Sequence, residues 1–462
     1  MSTPSRHRGT EFDRVPGPTQ RTLITNAVVV TMNDAHDVHF DGVVAIEGDR
    51  IAAVGPSADV LARFRDGARI IDANGGAVMP GLVDLHYHTA IGRGWSDHLP
   101  LLQILQQFWY PVVRAIDPEA VYWAALASYA ESIRCGVTTV NDMYRHIDAL
   151  GQAAEEIGIR AVLSNIVADD EHGLDSLEDN ASGHRSRHGS ANGRVEVMVG
   201  IEWLPLASIG LLRDASELAR DLGSGIHIHL NESVGEVEIS KEKFGRRPTE
   251  VAYECGLLSP GCVAAHCVWL SDTEIGLMRD TGTHISHNPT SNAKLGNGIA
   301  RVLDYIQAGI NVGLGHDSTE GVNTGDLFQV MKFASLMQRA VRMDANLLQA
   351  GDLLRMVTRN GSAALGHETG MLAQGRKADL IVIDLDDVGF TPLVEGNRNQ
   401  LYSHLAFAAH GRAVTTVIID GTIVMQDREL LTVDERKILR KANEAFVRTL
   451  DRADVGSVQT IV

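Results

Sequence analysis

Residues 117–143 read DPEAVYWAALASYAESIRCGVTTVNDM, and this stretch decides the fold. Asp117 and Pro118 are the cap and first-turn proline of a helix. Apolar residues then recur at helical spacing up to Gly136, which stops the helix, and the β-branched VTTVND behind it is a strand. The same helix–glycine–strand unit returns in IDALGQAAEEIGIRAVLSNIV, LLRDASELARDLGSGIHIHLNE, RPTEVAYECGLLSPGCVAAHCV, LSDTEIGLMRDTGTHISHNP and GIARVLDYIQAGINVGLGHDS. Strands that alternate with helices form a parallel sheet. About eight units over roughly 290 residues predict an α/β chain with a (β/α)8 TIM-like barrel, a fold that typically takes about 250 residues. The barrel is placed at residues 81–370.

Outside these limits the texture changes. TLITNAVVVTMND and GVVAIEGDRIAAVGP near the start, and GRKADLIVIDLDD and AVTTVIIDGTIVMQDREL near the end, read as short strands broken by Asp and Gly. Residues 21–80 and 371–430 are therefore predicted to pair into one small β-sandwich domain built from both chain ends. A C-terminal helix and tail occupy 431–462. Residues 1–20 hold prolines and no apolar block, so they are predicted to be a disordered tail and not a secretory signal. Within the barrel, DDEHGLDSLEDNASGHRSRHGSANGR at 169–194 is polar and glycine-rich. It is predicted to be a surface excursion whose His172, His184 and His188 are solvated.

Composition narrows the function classes. A chain of 462 residues that is 44% hydrophobic can bury a large core. Its formal net charge of −18, with no basic stripe, argues against nucleic acid or an anionic membrane as partner. No run of about 18 apolar residues is present, so no membrane-spanning helix is expected. Cys135, Cys255, Cys262 and Cys267 make neither a disulfide framework nor a CxxC zinc pattern, which fits a reducing cytoplasm.

Chemistry-bearing residues gather at the predicted strand ends. His86 and His88 lie in PGLVDLHYHTA, where the i, i+2 spacing of a strand puts them on one face, inward if Val83 and Leu85 face outward. GIHIHLNES ends a strand with His229 and, three residues on, Glu232; VAAHCV ends with His266; NVGLGHDS ends with His316 and Asp317. One HxH pair could be an accident of packing. Four strand ends of a barrel converge on one cavity, however, and ordinary turn capping would not choose His and Asp each time. A shared metal ion follows.

The segments PGLVDLHYHTA, ESIRCGVTTVNDM, HIHLNES, VAAHCVWLSDTEI, SHNPTSNAKLGNGIARV and GMLAQGRKADLIVID together resemble the amidohydrolase superfamily, in its deaminase and triazine-hydrolase branch. The resemblance runs from about Thr22 to Leu430. It implies one divalent metal ion, zinc first with iron(II) or manganese(II) as alternatives, held by His86, His88, His229 and Asp317. It also implies Glu232 as proton shuttle, His266 in contact with the substrate or the hydrolytic water, and Asp317 both ligating and orienting that water. Three imidazoles and a carboxylate suit zinc with an open position. His227 faces the same way as His229 and competes with it; the place nearest the strand end and the motif favour His229. His287 is assigned to organising its loop, and His316 to packing or support of the ligands. Family relatives form dimers or larger assemblies, so a homodimer or homotetramer is implied.

The resemblance implies a hydrolytic deaminase that releases ammonia from an aminated N-heterocycle of purine, pterin, pyrimidine or triazine type, or a nucleoside of one. Its rivals are a triazine-type hydrolase expelling chloride or an alkylamine, and a non-catalytic scaffold that would have lost ligands. The fourth strand, VEVMVGIEW, has no lysine to carbamylate, which argues against a two-metal centre. Neither the paired H-x-E and P-C-x-x-C of cytidine deaminases nor a phosphate-cradling loop is present. Departures from the family pattern place Glu202 and Trp203 after the fourth strand and Ser318 and Glu320 beside Asp317. With Trp95 and Trp109 these are the candidate substrate contacts, and they leave an adenosine-type substrate an open question. Glu202 and Glu320 are expected to accept hydrogen bonds from ring N–H groups, as in guanine- or pterin-like rings. Nucleotides are expected to be poor substrates.

Overall fold

The structure is a computed structural model that describes residues 21–455 apart from 91, 96 and 98. The predicted N-terminal tail lies outside the described residues. The unit that opened the sequence analysis forms as expected. Asp117 accepts the Ala120 N–H at 2.8 Å, and the helix Pro118–Arg134 follows. Gly136, at φ +84°, then turns the chain into the strand Val137–Met143. A Cβ at this position would meet Ile381 at 3.0 Å, so space and backbone both require glycine.

Eight such strands make the barrel: Leu82–His88, Val137–Met143, Arg160–Ser164, residues 195–201, Ile226–Leu230, Cys262–His266, His284–His287, and Val312–Leu314 with its continuation Asp317–Ser318. All pair in parallel. The fourth strand changes partners at Met198. Val195–Val197 pairs with the third strand and Val199–Ile201 with the fifth, which divides the barrel wall into two five-stranded arcs. The continuation of the eighth strand closes the wall on the first, with Asp317 opposite Tyr87 and Ser318 opposite His88. That register sets Asp317 beside the two histidines.

Both chain ends meet in a nine-stranded sheet folded about its own core of Ile24, Val29, Val44, Val78, Leu380 and Val382. Its two halves join where Ala77–Pro80 pairs antiparallel with Leu380–Ile383, Val78 opposite Val382. The last helix, Glu435–Ala453, is capped by Asp434 and buries Ile438, Ala442, Ala445 and Thr449, the i, i+4, i+7, i+11 stripe. Among the described residues no helix is long and apolar enough to cross a membrane.

Two expectations need correction. Residues 169–194 are not a mere excursion, because they contain the helix Leu177–Arg187. Ser176 and Asp179 form its capping box, Asn180 and Ala181 are buried, and Gly183 packs so closely on Ile147 that a Cβ would lie 2.8 Å from it. His172 and His184 are half-buried and only His188 is exposed. The second correction concerns Leu85. It does not face outward; it packs with Val162, Met198 and Val263 from the third, fourth and sixth strands. A register shift between Asp84 and Tyr87 lets both Leu85 and His86 reach the barrel interior.

Candidate metal centre and active site

The site is built at the C-terminal ends of the barrel strands. His88 Nε2 and His229 Nε2 lie 3.0 Å apart, and Asp317 Oδ1 is 3.4 Å from His88 Nε2 and 3.6 Å from His86 Nε2. Potential ligand atoms of His86, His88 and Asp317 all lie within 4.8 Å of one another, and so do those of His86, His229 and His266.

Tautomers follow from the second ring nitrogens. His88 Nδ1 donates to the Met143 carbonyl at 2.6 Å, and His229 Nδ1 donates to the Glu202 carbonyl. A carbonyl can only accept, so both Nε2 atoms carry lone pairs, and these face each other. His86 Nδ1 contacts His227 Nε2 at 2.9 Å, and His86 Nε2 is buried with no hydrogen-bond partner. Burial first, then the neighbouring imidazoles, hold His86 and His229 well below the usual histidine range, so both are neutral at pH 7. Buried lone pairs turned on one another beside a carboxylate are unfavourable unless a cation sits among them. The cluster thus fits a divalent metal ion.

The other candidates separate clearly. Glu232 Oε1 accepts from Asn297 Nδ2 at 2.8 Å and stands 3.8 Å from His266 Nδ1. His266 Nδ1 donates to Asn292 Oδ1 at 2.9 Å. His266 and Asp317 have φ of +70° and +80°, a region that non-glycine residues avoid. Such strain at strand ends is held by the surrounding contacts and concentrates at functional sites. His227 supports His86 and contacts Ser164 Oγ at 3.2 Å with its other nitrogen. His316 pairs with Asp84 at 2.6 Å, away from the cluster. His287 does not organise its loop through its ring, since both of its nitrogens lack a partner.

One pocket joins His88, His229, Glu232, His266 and Asp317 to Trp109, Glu202, Trp203, Ser318 and Glu320. Trp95 stands apart from this lining, stacked on Phe108 and edge-on to Phe446. Burial, with the Glu232 charge adding to it, pushes the Glu202 carboxyl up to about 8. Burial likewise pushes Glu320 up to about 7, against the Gly92 N–H that it accepts at 2.9 Å.

Comparison with known proteins agrees with this geometry. The model of the amidohydrolase family matches residues 77–424, and that of a bacterial imidazolonepropionase-like composite domain matches residues 42–66. The chain belongs to the amidohydrolase family. Among its relatives, a 5-methylthioadenosine/S-adenosylhomocysteine deaminase of Acetivibrio thermocellus is 39% identical over 433 residues, 93% of this chain and 99% of the relative. A 5'-deoxyadenosine deaminase of Methanosarcina mazei is 38% identical over 438 residues, 94% of this chain and 99% of the relative. The crystal structure of an adenosine deaminase from Xanthomonas campestris with bound zinc superposes with a TM-score of 0.87 at 29% identity. That match covers 94% of this chain and 100% of the other.

In this amidohydrolase a single segment supports three of the site's acidic and basic groups. Ser291 donates to Asp317 Oδ2 at 2.5 Å, Asn292 holds His266, and Asn297 holds Glu232. Glu236 adds a fourth support by accepting the backbone N–H groups of Asn231 and Glu232 at 2.9 and 2.7 Å. The sequence analysis assigned none of these four residues. The signal for Ser291, Asn292 and Asn297 was the motif SHNPTSNAKLGNG, whose polar side chains have no periodic pattern.

Three buried carboxyls, Glu202, Glu232 and Glu236, are pushed up to about 8 by burial. The metal-free folded state therefore holds protons that the unfolded chain has released, and the stability this gives is lost as pH rises through about 8. The cluster histidines His86 and His229 act in the opposite sense, but only below their ordinary value of 6.5. Between about pH 6.5 and 8 the carboxyls operate, joined in the same sense by His316, whose lowering by burial is outweighed by the Asp84 carboxylate so that it stands raised. The melting temperature of the metal-free protein is expected to fall across that window in calorimetric scans. A flat or rising profile would show that these groups are not buried as described.

Proposed function

We propose that this amidohydrolase is a zinc-dependent hydrolytic deaminase that releases ammonia from an adenosine-type nucleoside. The observation that carries this is the meeting of three neutral imidazole lone pairs and the Asp317 carboxylate within reach of Glu232 and His266. Deaminases of adenosine derivatives among the relatives, each matched over nearly its whole length, support the substrate class.

His86, His88, His229 and Asp317 would hold the ion, whose presence lowers the pKa of a bound water from about 15.7 towards about 7. Asn297 fixes one Glu232 oxygen. Burial pushes this carboxyl up to about 8 in the metal-free protein, and the charge of the ion would favour its ionised form, whose other oxygen takes a proton from the attacking water. The water oxygen bonds to the ring carbon that bears the exocyclic amine. As it bonds, the C=N electron pair moves to the ring nitrogen. Glu232 delivers its proton to the exocyclic nitrogen, the carbon–nitrogen bond breaks and ammonia leaves, while the hydroxyl's remaining proton passes to the ring nitrogen, giving a ring N–H and carbonyl. His266, oriented by Asn292 through Nδ1, would stabilise the negative charge that develops at the reacting carbon when its Nε2 also carries a proton.

Glu202 favours an adenine-type ring. Burial favours its protonated form, which donates, where the sequence suggested an acceptor. An adenine-type ring offers only acceptor nitrogens, whereas a guanine-like ring presents a ring N–H. A phosphate meets no Lys or Arg among the described lining residues. The test is product analysis with the metal-loaded enzyme and a panel of adenosine-type nucleosides, guanine, a pterin and a chlorotriazine. Ammonia from the nucleosides is expected. Chloride or alkylamine from triazines, with no ammonia from any nucleoside, would overturn the proposal in favour of a triazine-type hydrolase.

A further inference from the structure

We infer that the apolar wall of the pocket selects nucleosides carrying a small uncharged group at the 5' position and rejects those carrying an amino-acid zwitterion or a phosphate. This rests on the adenosine-type substrate proposed above.

The reacting edge of the ring is fixed at one end of the pocket by Glu232, His266 and Asp317. The same pocket is lined by the apolar side chains of Leu101, Ile104, Leu105 and Leu295, which are the surface left for the part of the ligand beyond that edge. The first three belong to the helical segment 101–115, where the i, i+3, i+4 spacing turns them to one face. The carboxyls of the lining are Glu202, Glu232, Asp317 and Glu320, and no Lys or Arg is among the described lining residues.

Cations adjacent in sequence to the lining are already engaged. Lys294, next to Leu295, donates to Asp97 at 2.6 Å. Arg114 donates to the His172 carbonyl at 2.8 Å and lies over the Tyr110 ring. Arg93 pairs with Glu131. A carboxylate or phosphate carried at the 5' end would leave water for an apolar surface with acidic neighbours and, among the described lining residues, no Lys or Arg to pair with it. A methylthio or methyl group at the same place exchanges water for Leu and Ile side chains, which is favourable.

The relatives leave this choice open, because their names span 5'-deoxyadenosine, 5-methylthioadenosine and S-adenosylhomocysteine. The experiment is steady-state ammonia release by the zinc-loaded wild-type enzyme from 5'-methylthioadenosine, 5'-deoxyadenosine, S-adenosylhomocysteine and adenosine 5'-phosphate. The kcat/KM for the first two is expected to exceed that for the last two by about 100-fold, the scale of an uncompensated buried charge. A difference below about tenfold overturns this inference alone and leaves the deaminase standing. Silence with all four compounds overturns both the nucleoside substrate and the selectivity built on it.

Discussion

Glu232→Gln is expected to lose about 10²–10⁴-fold in kcat, the usual worth of a placed acid–base group, while keeping its metal. Glutamine preserves the shape and still offers Oε1 to Asn297, which donates to that atom at 2.8 Å, so the supporting segment stays in place. What disappears is the oxygen that takes the proton from water and returns it to the leaving nitrogen. Ammonia release at saturating substrate and elemental analysis on one preparation separate the two effects. Unchanged metal with collapsed turnover is the expected pair of results. Turnover near that of the wild type would show that the proton travels by another group.

Asp317→Asn is expected to lose metal and activity together. The carboxylate is the one anion set against His86 and His88, with Oδ1 at 3.6 and 3.4 Å from their Nε2 atoms. Asparagine keeps the side-chain volume and the oxygen that accepts from Ser291. It also tolerates the φ of +80° better than alanine would, so the fold survives the change. The negative charge that offsets a dication is gone. The cost in metal affinity is expected to exceed the roughly 10–100-fold that follows loss of a supporting outer group. Dialysis against buffer with a defined free zinc concentration, followed by metal analysis, measures it. Full retention of zinc would place the ion elsewhere.

The barrel was legible because its punctuation is local. A capping aspartate, a helical stripe, a glycine at positive φ and a β-branched run each declare themselves within a few residues, as residues 117–143 do. That His86, His88, His229 and Asp317 come together was legible for the same reason, since strand-end residues need only period-two geometry and a closed barrel to converge. What the sequence concealed depends on contacts between distant segments. Leu85 turns inward through a register shift with the second strand, which no alternation pattern records. The helix Leu177–Arg187 has a polar, glycine-containing sequence, although its Ser176-x-x-Asp179 capping box was present to be read. Ser291, Asn292 and Asn297 are ordinary loop residues until the fold sets Asp317, His266 and Glu232 beside them. Glu202 was found by its departure from the family pattern, but burial, which favours its protonated form, is a property of the assembled pocket.

The most direct test of the central claim is a titration of the metal-free protein with zinc, following ammonia release from 5'-methylthioadenosine at each addition. If His86, His88, His229 and Asp317 hold one ion that the reaction requires, activity rises from background in proportion to zinc and breaks at one equivalent per chain. Full activity without zinc, or a break at two equivalents, would contradict the account.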